Sequence, residues 1–413
     1  MPFHIKKSFL YQCLFVFCVA VPYLNNYELT FFVWGFTAFI TISRKYSLGV
    51  LKQVFLFCII AATAFFSSLF NDFLVYNFIR DITYMIKPII GILVGYQLCK
   101  NKLENPIKLV VNTGVFLAVL HLLIVAYGVV FVGFRNIHQI RGFAGFFSDY
   151  EVYVIIILLF SKEFQLEIKR NRRYLYLLIL IISAAFYLSR TNFIQFGILF
   201  LAMKGYFVVN RRNVSILASF LIVGLLAYSA VLYYNPKRNG KGIEAFLYKV
   251  KIAPTEPFKT KINREDYKDF NDNYRSVENI TTLAQMEYDG TFTMLFGKGM
   301  GSTVDLKREV WLDDTLLRYI SVLHNGFMTV YLKSGIFGVL CLMLSIIILF
   351  RKQKTNIPLQ ININNLITGT AIFLFISYWV FMGFYFKADT KIIILGLLLA
   401  LSEKNVKKQL ETK

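Results

Sequence analysis

Five arginines, Arg80, Arg135, Arg141, Arg190 and Arg275, and one imidazole, His324, gather toward one face of a strongly apolar chain, with Lys87 deeper on the run that carries Arg80. A guanidinium fork pairs bidentately with phosphate or carboxylate, and an imidazole exchanges a proton near neutral pH. The set therefore suits a ligand that carries or develops negative charge. Arg135, His138 and Arg141 lie in the segment from Gly133 to Asp149, whose glycines let backbone approach a ligand closely. The same arginines would equally suit lipid headgroups. Arg190, in Ser189-Arg190-Thr191 between two apolar runs, faces a buried anion or snorkels to the interface.

Arg80 and Lys87 are seven residues apart on one apolar run, so two helical turns bring them to one face. At 1.5 Å per residue they lie roughly 10 Å and 20 Å below the outer surface, where they need a cavity or an acidic partner on another helix. His324 begins a helix, and a histidine poised at a membrane boundary can act as a base or bind an anion. A lone histidine at a helix start is also a common structural residue. The triplet Gly297-Lys-Gly299-Met-Gly301 has no preceding strand and no Walker spacing, which excludes a nucleotide loop. The sequence holds no metal-spaced His/Cys cluster, no GxSxG and no pair of carboxylates in the middle of an apolar run of the kind a proton-coupled pump shows.

The elements that must position these groups are membrane helices. Of 413 residues 57% are apolar and 17% charged, against roughly 45–50% and about 25% in soluble domains. Twelve apolar stretches can be marked, at 8–24, 28–42, 53–70, 73–98, 109–132, 148–161, 174–189, 191–209, 214–234, 325–350, 364–383 and 390–402. Those at 148–161 and 390–402 are short for a bilayer. Alternating them from a cytoplasmic N-terminus puts basic clusters on one side, among them Lys6/Lys7, Arg44/Lys45, Lys100/Lys102, Arg172/Arg173, Arg211/Arg212, Arg351/Lys352/Lys354 and the C-terminal lysines. The expectation is an all-α multi-pass membrane protein with both termini cytoplasmic. Most of the +21 net charge is then a topology signal, with no need of nucleic acid.

The division expected is a helical bundle at 1–235 with an external loop at 133–147, a long external loop at 236–323, and C-terminal helices at 324–413. The long loop carries 14 Lys+Arg and 13 Asp+Glu with recurring aromatics, including Tyr248, Phe258, Tyr267, Phe270, Tyr274, Phe292, Phe296 and Trp311. That pattern predicts an ordered, partly helical cap. The five cysteines lie in or beside apolar runs, and the first run ends without a cleavage pattern, so it reads as a retained helix.

Arg141-Gly-Phe-Ala-Gly-Phe-Phe, Leu-Ser189-Arg190-Thr191, Asn-Tyr274-Arg275-Ser-Val-Glu278, Leu-Phe-Gly297-Lys-Gly-Met-Gly and His324-Asn-Gly-Phe followed by Lys-Ser-Gly335-Ile-Phe-Gly occur in this order. Together they resemble the O-antigen polymerase and ligase superfamily, over about residues 73–350. The sequence departs from that pattern at Ser148-Asp149-Tyr150. The resemblance implies a GT-C-like membrane glycosyltransferase in the bacterial inner membrane. It would act without a metal or cofactor, with inversion, on undecaprenyl-pyrophosphate-linked glycans as donor and acceptor, and admits a chain-length regulator as partner. It also implies that Arg80, Lys87, Arg135, Arg141, Arg190 and Arg275 meet the pyrophosphate, while His324 or Glu278 serves the acceptor hydroxyl. A ligase acting on lipid A core shares these features. A lipid-linked oligosaccharide flippase is the alternative from another class.

Overall fold

The computed structural model describes residues 7–411 except 102, 146–147, 188, 209, 241–242, 257–258, 264–265, 313–314 and 351–356. Lys6, Lys102, Phe146, Phe147, Leu188, Phe258, the 351–354 basic cluster and the last lysine, Lys413, lie outside the described residues, as do the side chains of His138, Tyr267, Trp311, Lys407 and Lys408. The described residues are 74% helical. Helices α1 (Lys7–Ala20), α2 (Tyr27–Ile40), α3 (Leu48–Ser68), α4 (Val75–Asn101), α5 (Pro106–Val130), α6 (Ile137–Ala144), α7 (Asp149–Leu159), α8 (Arg170–Tyr187) and α9 (Arg190–Met203) come first. They are followed by α10 (Arg211–Tyr234), α11 (Ile243–Ile252), α12 (Tyr267–Asp272), α13 (Tyr274–Tyr288) and α14 (Thr291–Phe296). A hairpin of β1 (Val304–Leu312) and β2 (Thr315–Ile320) precedes α15 (Gly326–Ile347), α16 (Pro358–Val380) and α17 (Lys391–Glu411).

Each of the twelve apolar stretches coincides with a helix, because an apolar run satisfies its backbone most simply by local hydrogen bonds. Seven helical segments among the described residues are long and apolar enough to cross a membrane: Lys7–Leu24, Leu48–Ser68, Val75–Lys100, Pro106–Val130, Arg211–Tyr234, Gly326–Ile347 and Pro358–Val380. The long-loop region contains helices, as its aromatic pattern predicts, and also the antiparallel hairpin, which departs from an all-α expectation.

The chain divides into two compact units. Unit 1 comprises Met1–Ala62, Ile79–Lys204 and Leu340–Lys413; unit 2 comprises Thr63–Phe78 and Gly205–Val339. In unit 1 the two shortest apolar stretches become the most enclosed helices. Every residue of α7 from Asp149 to Leu158 is buried, as is every residue of α17 from Lys391 to Ser402. A helix apolar on all sides belongs inside a bundle, and here α7 packs on α5, α8 and α9. The α4–α17 crossing depends on small residues: a Cβ at Gly95 would strike the Ile393 carbonyl, and one at Gly396 the Ile92 carbonyl. Such contacts let two membrane helices approach backbone to backbone.

Unit 2 has its own apolar core, in which Phe270, Val277, Met286, Val304, Leu306, Ile320, Leu323 and Leu332 join the α12–α13 region, the hairpin and α15. By contrast α10 has no buried residue along its 24 residues, the condition of a helix whose apolar side chains meet lipid.

Candidate functional site

The clearest chemical constellation lies in unit 2. Helix α13 turns Val277 and Met286 into the apolar core, which brings Glu278 to the start of α15. Asn325 caps that helix by accepting from the Met328 N–H, and Thr329 Oγ1 bonds both the N–H and the carbonyl of Leu323. His324 is thereby fixed in the residue before the cap. Its backbone N–H donates to Glu278 Oε2 at 2.9 Å, and its Nδ1 lies 2.9 Å from Glu278 Oε1. The Tyr274 ring meets the imidazole edge-on at 5.5 Å. The carboxylate is 1% exposed and the imidazole 43% exposed.

This geometry separates the roles of the two candidate bases. Both oxygens of Glu278 meet His324, an arrangement that can orient the ring. A carboxylate on Nδ1–H leaves Nε2 as the ring's proton acceptor. Burial and the neighbouring Glu278 carboxylate push the Tyr274 phenol well above its ordinary range, so it stays protonated.

The two glycine motifs turn out to form one structural device. Gly335 has φ 64° and breaks α15, which frees carbonyls a turn upstream. The N–H groups of Lys298 and Gly299 donate to the carbonyls of Leu332 and Lys333 at 2.8 and 3.1 Å, and Met300 N–H donates to Ala64 at 3.0 Å. Gly299 has φ 86°, and a Cβ there would strike Ser68 backbone; only glycine serves. Lys333, fully buried, donates from Nζ to the Ser302 carbonyl at 2.5 Å.

The remaining sequence-derived residues are placed as follows. Arg275, in unit 2, lies 3.7 Å from Glu256. In unit 1, Arg80 is partly buried and Lys87 buried two turns further along α4; Arg135 is exposed ahead of α6, Arg141 partly buried in its last turn, and Arg190 exposed at the start of α9. Lys87 donates to the carbonyls of Phe386 and Lys387 and stands 5.7 and 5.4 Å from the ring centres of Tyr27 and Trp34. A phosphate at Lys87 would have to displace those carbonyls.

Sequence reasoning missed a second constellation, in unit 1. Lys391 Nζ lies 2.7 Å from Asp149 Oδ2, 2.8 Å from Asp389 Oδ1 and 3.3 Å from the Gly383 carbonyl. All three charged side chains are at most 2% exposed. Asp149 opens α7, where the helix dipole favours a carboxylate, and Gln195 of α9 donates to its carbonyl at 3.2 Å. Buried Glu151, two residues on, lies 3.4 Å from the Tyr187 hydroxyl. The available signal was Lys387-Ala-Asp389-Thr-Lys391, three charges between two apolar runs. Among the described residues no group of three His, Cys, Asp or Glu side chains is arranged to hold a metal ion.

Comparison with known proteins finds no family model that matches this chain and no curated protein with significant similarity to it.

Proposed function

We propose that this chain is a membrane glycosyltransferase that joins lipid-linked oligosaccharide repeat units, as the O-antigen polymerases do. The observation that carries the reading is the Glu278–His324 pair: a buried carboxylate holds one face of a half-exposed imidazole by ring and backbone. That is the arrangement of a general base whose orientation is set by a third group. On this reading His324 Nε2 takes the proton of an acceptor hydroxyl as its oxygen bonds to the donor's anomeric carbon. The bond from that carbon to pyrophosphate breaks, and the lipid pyrophosphate leaves with the electron pair.

The twelve helices are read as twelve passes of a GT-C-like fold with both termini cytoplasmic. In it α7 and the first half of α17 are passes enclosed by the others. Guanidinium groups suit the departing pyrophosphate by residue type, Arg275 in unit 2 and Arg135, Arg141 and Arg190 in unit 1.

Purified protein supplied with lipid-linked repeat units in detergent should extend them, and His324→Ala should lower the rate by 10²-fold or more while leaving the thermal transition in place. Chain growth undiminished in His324→Ala would refute the reading. Polymer built on the lipid carrier marks a polymerase, whereas intact polymer that fails to reach lipid A core in a deletion strain marks a ligase.

A second reading, transport of the lipid-linked oligosaccharide, is favoured by the buried Asp149–Lys391–Asp389 group, since ionisable side chains inside a membrane bundle commonly serve ion or substrate paths. Absence of chain growth in detergent together with vesicle translocation by the wild-type protein would select it.

A further inference from the structure

Unit 2 contains a cavity of about 830 Å³ between the 72–77 segment, α13, the glycine loop and the hairpin. Its volume falls within the roughly 300–1,000 Å³ of small-molecule sites. Three aromatic rings border it, Phe73, Tyr288 and Tyr319, respectively 40%, 91% and 55% exposed. Aromatic residues so exposed present a flat apolar face and, in tyrosine, a polar tip.

The polar lining is balanced in charge and largely committed to itself. Lys298 pairs with Asp289 at 2.5 Å, and the lining carboxylate of Asp305 is held through two hydrogen bonds of 2.8 Å by Arg318. Asp72 and Lys307 add one charge of each sign. A surface so neutralised gives a phosphate or nucleotide no uncompensated cation, and the five charged side chains among its lining would be costly to cover with an acyl chain. Amide, hydroxyl and short charged groups beside flat rings suit a neutral polyhydroxylated ligand, with C–H faces for the rings and paired hydroxyls for the polar groups.

The wall is also pre-set. Gln285 donates to the Thr303 carbonyl at 2.9 Å and accepts from the Asp305 N–H at 3.2 Å, so its amide is locked. The β1–β2 register shifts between Asp305 and Val310, and Lys307 takes φ 57°, the left-handed region uncommon for a non-glycine residue. A bulge of this kind re-aims side chains at a functional surface.

We propose that this cavity binds a carbohydrate, namely the acceptor glycan. The assignment to a glycan rests on the cavity; the assignment to the acceptor rests on the glycosyltransferase reading. Helix α13 lines the cavity with Ile280, Thr281, Ala284, Gln285 and Tyr288 and also carries Glu278. The seven residues from Glu278 to Gln285 put the cavity roughly 10 Å along the helix from the dyad. A short oligosaccharide seated there would direct one end toward His324.

The test uses full-length protein in a non-glycosidic detergent, with saturation-transfer NMR on two probes. These are repeat-unit oligosaccharides released by mild acid from the surface polysaccharide of the cells that make the protein, and a panel of common mono- to tetrasaccharides. The wild type should bind a glycan, and Ala284→Trp, which fills the cavity from an exposed position, should weaken binding at least tenfold. Tyr288→Ala, at a side chain almost wholly in solvent, guards against misfolding and should weaken binding in the same direction. His324→Ala should bind as the wild type does. No glycan binding to the wild type, or binding indifferent to both cavity variants, would overturn the site. Chain growth that needs His324 alongside such indifference leaves the reaction reading standing without the site. Binding lost in Ala284→Trp with chain growth intact in His324→Ala leaves the site standing without the reaction.

Discussion

Replacing Lys391 with methionine removes the cation that lies between Asp149 and Asp389 at 2.7 and 2.8 Å. Both carboxylates are at most 2% exposed, so water cannot take over the lost charge. Removing one partner of a buried ion pair costs roughly 3–5 kcal/mol. Here one lysine serves two acids, which puts the expected loss near the upper end, about 5 kcal/mol. That is a large share of the roughly 5–15 kcal/mol that stabilises an ordinary domain. The neutral triple variant Asp149→Asn, Lys391→Met, Asp389→Asn removes the uncompensated charge and should recover most of the loss. The assay is SDS-induced unfolding in mixed micelles, followed by far-UV circular dichroism. A Lys391→Met protein within about 1 kcal/mol of wild type, or a triple variant no better than the single one, would falsify the view that these charges hold α7 and the start of α17 together.

Three further outcomes are expected. Glu278→Gln places an amide N–H or carbonyl against a ring and a backbone that both present N–H groups, so one contact must be lost or the tautomer reversed; chain growth should fall by roughly 10²–10⁴-fold, and a drop under tenfold would remove Glu278 from the orienting role. Gly95→Ala sets a methyl against the Ile393 carbonyl and should lower stability by about 1–3 kcal/mol in the same SDS assay; an unchanged midpoint would refute the close crossing of α4 and α17. In unit 2, hydrogen bonds from Arg318 hold the Asp305 carboxyl below its ordinary range, and Lys259 does the same for Asp269. A carboxyl depressed in the folded state stabilises the fold above its unfolded pKa, about 3.9, and that contribution fades as pH falls through the lower folded value. Amide exchange in the hairpin should therefore change little from pH 7 to 5, after correction for the intrinsic rate, and gain in openness only below about 4. Because both pairs are solvent-screened, the gain should be small; hairpin opening that begins near pH 6 would contradict the assignment.

The sequence alone determined the helices. Each apolar run of about the right length became one, since a backbone among apolar side chains must bond to itself, and the helix does so within a single segment. It also singled out His324, as an imidazole at the start of a helix, and the family resemblance added Glu278 as a second candidate base. What it could not determine were relations between residues far apart. Glu278 and His324 are 46 positions apart, and only the packing of α13 against the start of α15 makes one the orienter of the other. Lys391 and Asp149 are 242 positions apart, and a charge at the edge of an apolar run reads as an interfacial residue until its partner is known. The glycine motifs likewise drew attention by composition. Their use, carbonyls freed by the break at Gly335 and taken up by Lys298 and Gly299, exists only once two segments meet. The same holds for the short runs at 148–161 and 390–402: composition marked them as apolar, but whether lipid or protein surrounds an apolar helix is a property of its neighbours, and in this protein the neighbours are other helices.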